Sequence, residues 1–191
     1  MLANTIDKLK RDLADLVIAQ VADTMGTHAV TGTDARDMRS GIDAFLGENW
    51  SVQRVGDKAC RGSSETVSPR SVFDELAAGH LVIVRFGYYE PTNNGKMERV
   101  GGHWVTPTRI LRAQDYRRIW WSDPARDDDS GSKQNPLTTQ SDFVTEYSQL
   151  ERKLVSMAGC DRSRWQVVDR WGAGDRETYI EDMLVIAPPG T

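Results

Sequence analysis

The chain has 191 residues and a formal net charge of −4, and 39% of its residues are hydrophobic and 27% charged. This length and balance are ordinary for one globular domain with a substantial core. The basic residues are scattered and form no stripe with stacking aromatic residues, and no apolar run approaches the roughly eighteen residues of a membrane-spanning helix. We therefore expect neither a nucleic-acid partner nor a membrane partner.

The sequence holds only two cysteines, Cys60 and Cys160, and three scattered histidines. Two distant cysteines make no disulfide framework, and the histidines lack the spacing of metal ligands. We expect free thiols, no metal and no cofactor. Free thiols favour a reducing compartment such as the cytoplasm, and residues 1–10 lack a secretory signal pattern, but localisation stays undecided.

Helical patterns dominate roughly the first eighty residues. Residues 4–25 carry apolar side chains at helical spacing. A second helix follows a cap at Thr33 or Asp34, and a third begins at Ser68-Pro69, because proline suits the first helical turn. Residues 50–55 are a candidate short strand between the second and third helices.

The rest of the chain is richer in strand-forming residues. Residues 81–89 suit a central strand, 90–100 a hairpin loop, and 141–157 a helix with Leu150 and Leu154 on its inner stripe. Further strands are predicted at 102–111, 117–122, 164–171 and 178–187, and 126–140 is a loop. This order predicts one α+β domain, with a helical half at about 1–80 and a sheet half at about 81–191.

Two motifs suggest a catalytic pair. The sequence GGHWV (101–105) opens one predicted strand, and WWSDP (120–124) closes the next. Consecutive strands with a short turn pair antiparallel, so His103 and Asp123 should lie at one edge of the sheet. An imidazole beside a carboxylate is the base and orienting group of a nucleophilic triad. The alternative is structural: His103 would be a half-buried strand residue, and Asp-Pro a common strand exit.

Together with the strand that starts GHLVIV (79–84), these motifs resemble those of the C39-like branch of the papain-like cysteine peptidases. The resemblance implies a papain-like α+β fold, with N-terminal helices packed on a twisted antiparallel β-sheet. It also implies hydrolysis of peptide bonds by a Cys-His-Asp mechanism. His103 would be the general base, Asp123 its orienting group, and the substrate a peptide or protein.

One departure from the family concerns the nucleophile. The family's cysteine begins the first helix, where the helix dipole and the histidine lower its pKa. The predicted first helix of this chain has no cysteine, and neither Cys60 nor Cys160 matches the family position. We therefore expect a chain that is N-terminally shortened or has lost its nucleophile, and that is inactive as given.

The competing hypothesis is a non-catalytic relative that binds a peptide or protein partner. Trp104, Trp120 and Trp121 are its candidate anchors, although large aromatic rings are also typical core residues. Loss of the start of the first helix would expose apolar surface and favour self-association.

Overall fold

The computed structural model of the chain describes residues 33–56, 67–111, 118–122, 145–157, 160–168 and 176–190. The helices of these residues are α1 (Ala35–Leu46) and α2 (Pro69–Ala77). The strands are β1 (Ser51–Gly56), β2 (Leu81–Pro91), β3 (Met97–Leu111), β4 (Arg118–Ser122), β5 (Thr145–Met157), β6 (Cys160–Val168) and β7 (Glu177–Ala187). Neither described helix is long and apolar enough to cross a membrane.

The seven strands form one sheet in the order β1-β7-β2-β3-β4-β5-β6. Strand β7 pairs with β2 along one side. Along its other side it pairs with β1 through residues 182–187 and with β6 through residues 178–179. Because β3 also meets β5, the strands β2, β3, β5, β6 and β7 close into a five-stranded barrel, with β1 added outside it.

This architecture shows that the predicted fold class is wrong. The described chain is mostly β and has two helices and a closed barrel, whereas the prediction was a papain-like α+β fold with N-terminal helices packed on a sheet. Residues 145–157 form β5, not a helix, because β4 and β6 satisfy its backbone from both sides and pairing overrides local propensity. The predicted helix 4–25 and loop 126–140 lie outside the described residues.

The starts of both described helices were predicted correctly from their capping residues. The Asp34 side chain accepts hydrogen bonds from the backbone N–H groups of Arg36 (2.6 Å) and Asp37 (3.0 Å), so α1 begins as predicted. Ser68 and Ser71 form a reciprocal capping box at the start of α2, with Pro69 in the first turn. Antiparallel pairing of β3 with β4 is also confirmed, with Thr106 opposite Ser122.

The larger core lies on one face of β2 and β7. Phe86 on β2 is fully buried and sits opposite Ile180 on β7. Its ring packs edge to face against Trp121 of β4, with ring centroids 4.8 Å apart. Burial of such side chains supplies the main favourable term in folding. The core residues on this face that share these two strands are Val82, Val84, Phe86, Ile180, Met183 and Val185.

Candidate functional site

The opposite face of the same strands carries charges. Asp182 on β7 accepts from Arg54 of β1, with Nη2 and Nε at 2.8 and 3.1 Å from Oδ1, and pairs with Arg85 of β2 at 3.4 Å. Glu181 pairs with the same Arg85 at 3.4 Å and accepts from Nε of Arg99 on β3 at 2.8 Å. We call this line of alternating charge across four strands the charged row; its members are Arg54, Asp182, Arg85, Glu181 and Arg99.

A β-bulge puts both acidic residues on that face. Arg85 lies opposite Asp182, but the next residue, Phe86, lies opposite Ile180, so Glu181 is an extra residue in β7. In a regular strand consecutive side chains point to opposite faces, whereas a bulge redirects one of them. The bulge therefore lets Glu181 and Asp182, although adjacent in sequence, share one arginine.

Two glycines paired across β2 and β3 make room for the row. Gly87 lies opposite Gly102. A Cβ atom on Gly87 would stand 2.2 Å from Oε1 of Glu181, and one on Gly102 would stand 2.3 Å from Nη2 of Arg99. Any larger residue would overlap the carboxylate or the guanidinium group. Gly102 of the 101–105 motif thus has a steric role here that the sequence did not suggest.

A buried tyrosine, Tyr89, forms hydrogen bonds with Glu181 of the charged row and with Arg164. The Tyr89 hydroxyl donates to Oε1 of Glu181 at 2.6 Å and accepts from Nη1 of Arg164 at 2.9 Å. Burial, together with the Glu181 charge, raises the pKa of Tyr89 far above its usual value. The phenol therefore stays protonated and acts as a donor to the carboxylate.

The acidic and basic side chains of the charged row differ in their exposure to solvent. The side chains of Asp182 and Glu181 are 3% and 8% exposed, whereas those of the end members, Arg54 and Arg99, are 33% and 37% exposed. Arg85, in the middle of the row, is 18% exposed. Burial raises the pKa of Asp182, and the Arg54 and Arg85 guanidinium groups oppose that rise. Solvent thus meets the guanidinium groups at the two ends of the row, while the carboxylates that hold them lie underneath. In a chain of net charge −4, this is a locally cationic surface.

A neighbouring ion pair, Lys153 with Glu177, has equal positive and negative charge, unlike the charged row. Glu177 on β7 accepts from Lys153 of β5 at 2.7 Å and from the hydroxyl of Tyr179. Burial alone would raise the pKa of Glu177, but these two hydrogen bonds outweigh it and hold the pKa below its usual value of 4.5. One ammonium group meets one carboxylate, which leaves no cationic surplus.

The predicted catalytic pair is only half described. His103 is half-buried on β3, directly opposite Phe86. Ser122, the last described residue of β4, pairs with Thr106, three residues from His103. Asp123 and Cys60 lie outside the described residues, so the pairing of His103 with Asp123 stays a prediction. The described residues contain no group of three histidine, cysteine or acidic side chains that could hold a metal ion.

The three candidate tryptophan anchors have different environments. Trp121 is fully buried in the core, so its proposed role as a surface anchor is wrong. Trp104 is half-buried and donates from Nε1 to the carbonyl oxygen of Thr33 at 3.0 Å, which ties the start of α1 to the sheet. The Arg85 guanidinium lies 5.7 Å from the centroid of the Trp104 ring, a cation–π contact. Trp120 is half-buried.

Sequence reasoning missed the charged row. Its one local signal is the Glu181-Asp182 pair inside an otherwise apolar run predicted as a strand, since buried carboxylates need partners. Comparisons of the chain with protein-family models, curated proteins and solved structures found no match. Function is therefore inferred from the chain's own residues.

Proposed function

We propose that the chain is a non-catalytic binding domain that recognises an acidic segment of a peptide or protein through Arg54, at the β1 end of the charged row. The observation that supports this proposal is that the Arg54 guanidinium is exposed, whereas Asp182, the carboxylate that holds it, is buried. Guanidinium groups bind carboxylates through parallel, charge-assisted hydrogen bonds. A ligand carboxylate would meet the outer edge of an arginine whose inner edge is already held by Asp182.

Preorganisation favours binding as the role of this surface. Arg54 and Arg85 are fixed by Asp182, and Arg99 by Glu181, so a ligand orders little that is not already ordered. Nε and Nη2 of Arg54 donate to Asp182, and Nη1 donates to no partner within the described residues. That N–H group is the donor that we assign to the ligand.

Hydrolysis by a Cys-His-Asp mechanism is the second candidate. What favours it is the half-buried His103 on a strand whose antiparallel neighbour ends one residue before Asp123. A base and its orienting group without a nucleophile retain only weak catalysis. We therefore rank acidic-ligand binding first and assay hydrolysis alongside it.

The test uses a fluorescein-labelled decapeptide of alternating Glu and Thr, with a Gln/Thr peptide of the same length as its neutral match. We expect the Glu peptide to bind with an affinity that falls as salt rises, and the Gln peptide not to bind. Arg54→Gln should weaken Glu-peptide binding about tenfold, the value of a charge-assisted hydrogen bond of roughly 1.4 kcal/mol.

The matched control is Arg70→Gln on α2. Arg70 is 75% exposed and pairs with Asp74 one helical turn away, outside the charged row, so the same loss of charge there should leave binding unchanged. Equal binding of both peptides, or equal losses in both variants, would contradict the proposal. Cleavage of either peptide that disappears in His103→Ala would favour hydrolysis instead.

A further inference from the structure

Within the described residues, strand β1 is paired along one edge and open along the other. Its six residues, Ser51–Gly56, pair with β7 along one side. Along the other side they have no backbone partner in the described part of the chain, and Ser51, Gln53 and Arg54 are exposed. An edge of this kind presents a line of unpaired N–H and C=O groups, which is a template for an extended peptide.

The charged row ends on this edge with a positive charge. Read outward from β3, its members are Arg99, Glu181, Arg85, Asp182 and Arg54, so the signs alternate and the last residue, Arg54, belongs to β1. A strand added beside β1 would lie about 4.8 Å away. An acidic side chain opposite Arg54 would continue the alternation, and opposite charges at facing positions stabilise strand pairs.

We propose that the acidic segment binds as an added β-strand along the open edge of β1, with an acidic side chain opposite Arg54. This inference rests on the proposed function and adds the mode of binding. The length of β1 sets a contact of about six residues. Backbone hydrogen bonds would supply affinity that is independent of sequence, and Arg54 would supply the preference for acid.

Strand addition predicts an alternating response to N-methylation of the peptide. In a strand, successive N–H groups point to opposite sides, so every second amide of the ligand would face β1. We would prepare the Glu/Thr decapeptide with all Glu amides methylated, and again with all Thr amides methylated. One of the two peptides should lose about tenfold or more in affinity, since several hydrogen bonds are removed, while the other should bind within about twofold of the parent.

A charge swap tests the position opposite Arg54. Arg54→Glu should weaken binding of the Glu/Thr peptide about tenfold or more and gain binding of a Lys/Thr peptide. Because Arg54→Glu places a second carboxylate beside Asp182, Arg54→Gln is measured in parallel, and circular dichroism checks that both variants fold. Arg54→Gln should weaken Glu-peptide binding without gaining the Lys peptide.

The outcomes separate this inference from the proposed function. Arginine-dependent binding of the Glu peptide with equal responses to both methylated peptides would overturn strand addition and leave the proposed function intact. Failure of the Glu peptide to bind at all would overturn both. Sedimentation of the chain alone should show a monomer at micromolar concentration. A dimer that Arg54→Glu abolishes would overturn the inference by making a second copy the occupant of the edge.

Discussion

The two faces of β2 and β7 are built from alternate residues of the same strands, yet they do different things. One face carries Val84, Phe86 and Met183 in a dry core. The other carries Arg85 and Asp182 in the charged row. Apolar contacts are non-directional and are proportional to area, whereas ion pairs depend on geometry and lose much of their energy to desolvation. The first face therefore stabilises the barrel, and the second gives the sheet a specific chemistry at its surface.

The largest expected loss of stability comes from a substitution in the apolar face. Phe86→Ala removes a fully buried ring from contact with Trp121 and should lower the free energy of unfolding by about 3–5 kcal/mol. Leu81→Ala is the control on the same strand, because Leu81 is 59% exposed and should cost less than about 0.5 kcal/mol. Urea unfolding measures both. Similar costs would show that β2 does not divide its faces as described.

A smaller effect tests the steric fit of the charged face. Gly87→Ala brings a methyl group onto the Glu181 carboxylate and should destabilise the protein by about 2 kcal/mol, as overpacking does. Gly101→Ala is its matched control, since the nearest atom to the new Cβ is Cδ2 of Tyr88 at 3.4 Å. We expect that variant to lie within about 0.5 kcal/mol of the parent. Thermal unfolding of the pair decides whether the glycine pairing is needed for the row.

The smallest effect is a pH dependence on the charged side of β7. Because the pKa of Glu177 is lowered in the fold, its contribution to stability is present above its usual value of 4.5 and is lost as pH falls through the lower, folded value. Glu177→Gln should remove that acid-side loss, worth less than about 1 kcal/mol for a partly exposed pair. Lys153→Gln and the double variant complete a cycle of unfolding curves across this range. Additive effects would mean that the Lys153–Glu177 pair contributes nothing.

The parts of this fold that the sequence predicts are those with a local cause. Side-chain caps at Asp34 and Ser68 mark the two helices, and β-rich apolar runs mark β2 and β7. Strand β5 was predicted wrongly because Leu150 and Leu154 sit at helical spacing; in the barrel Leu150 is buried and Leu154 is 72% exposed. Barrel closure depends on pairings between distant strands, which no short pattern encodes.

The candidate site was harder to predict than the fold for the same reason. Arg99 and Glu181, which meet at 2.8 Å, are 82 residues apart in the chain. Nothing in their local sequence distinguishes this arginine from the others. His103 was singled out because its motif is contiguous, and the glycine beside it proved to matter through its missing side chain.

Strand β7 joins three neighbours, β1, β2 and β6, and it is the last of the described strands to emerge during synthesis. Among the described strands β1 pairs only with β7, and Arg54 binds an aspartate 128 positions downstream, so neither contact can form before β7 is synthesised. Folding must therefore close very long loops, at a cost in chain entropy, before the stabilising contacts can form. Topologies of this kind fold slowly, in milliseconds to seconds. During that interval the nascent chain holds an unpaired strand, the kind of intermediate that aggregates or needs a chaperone.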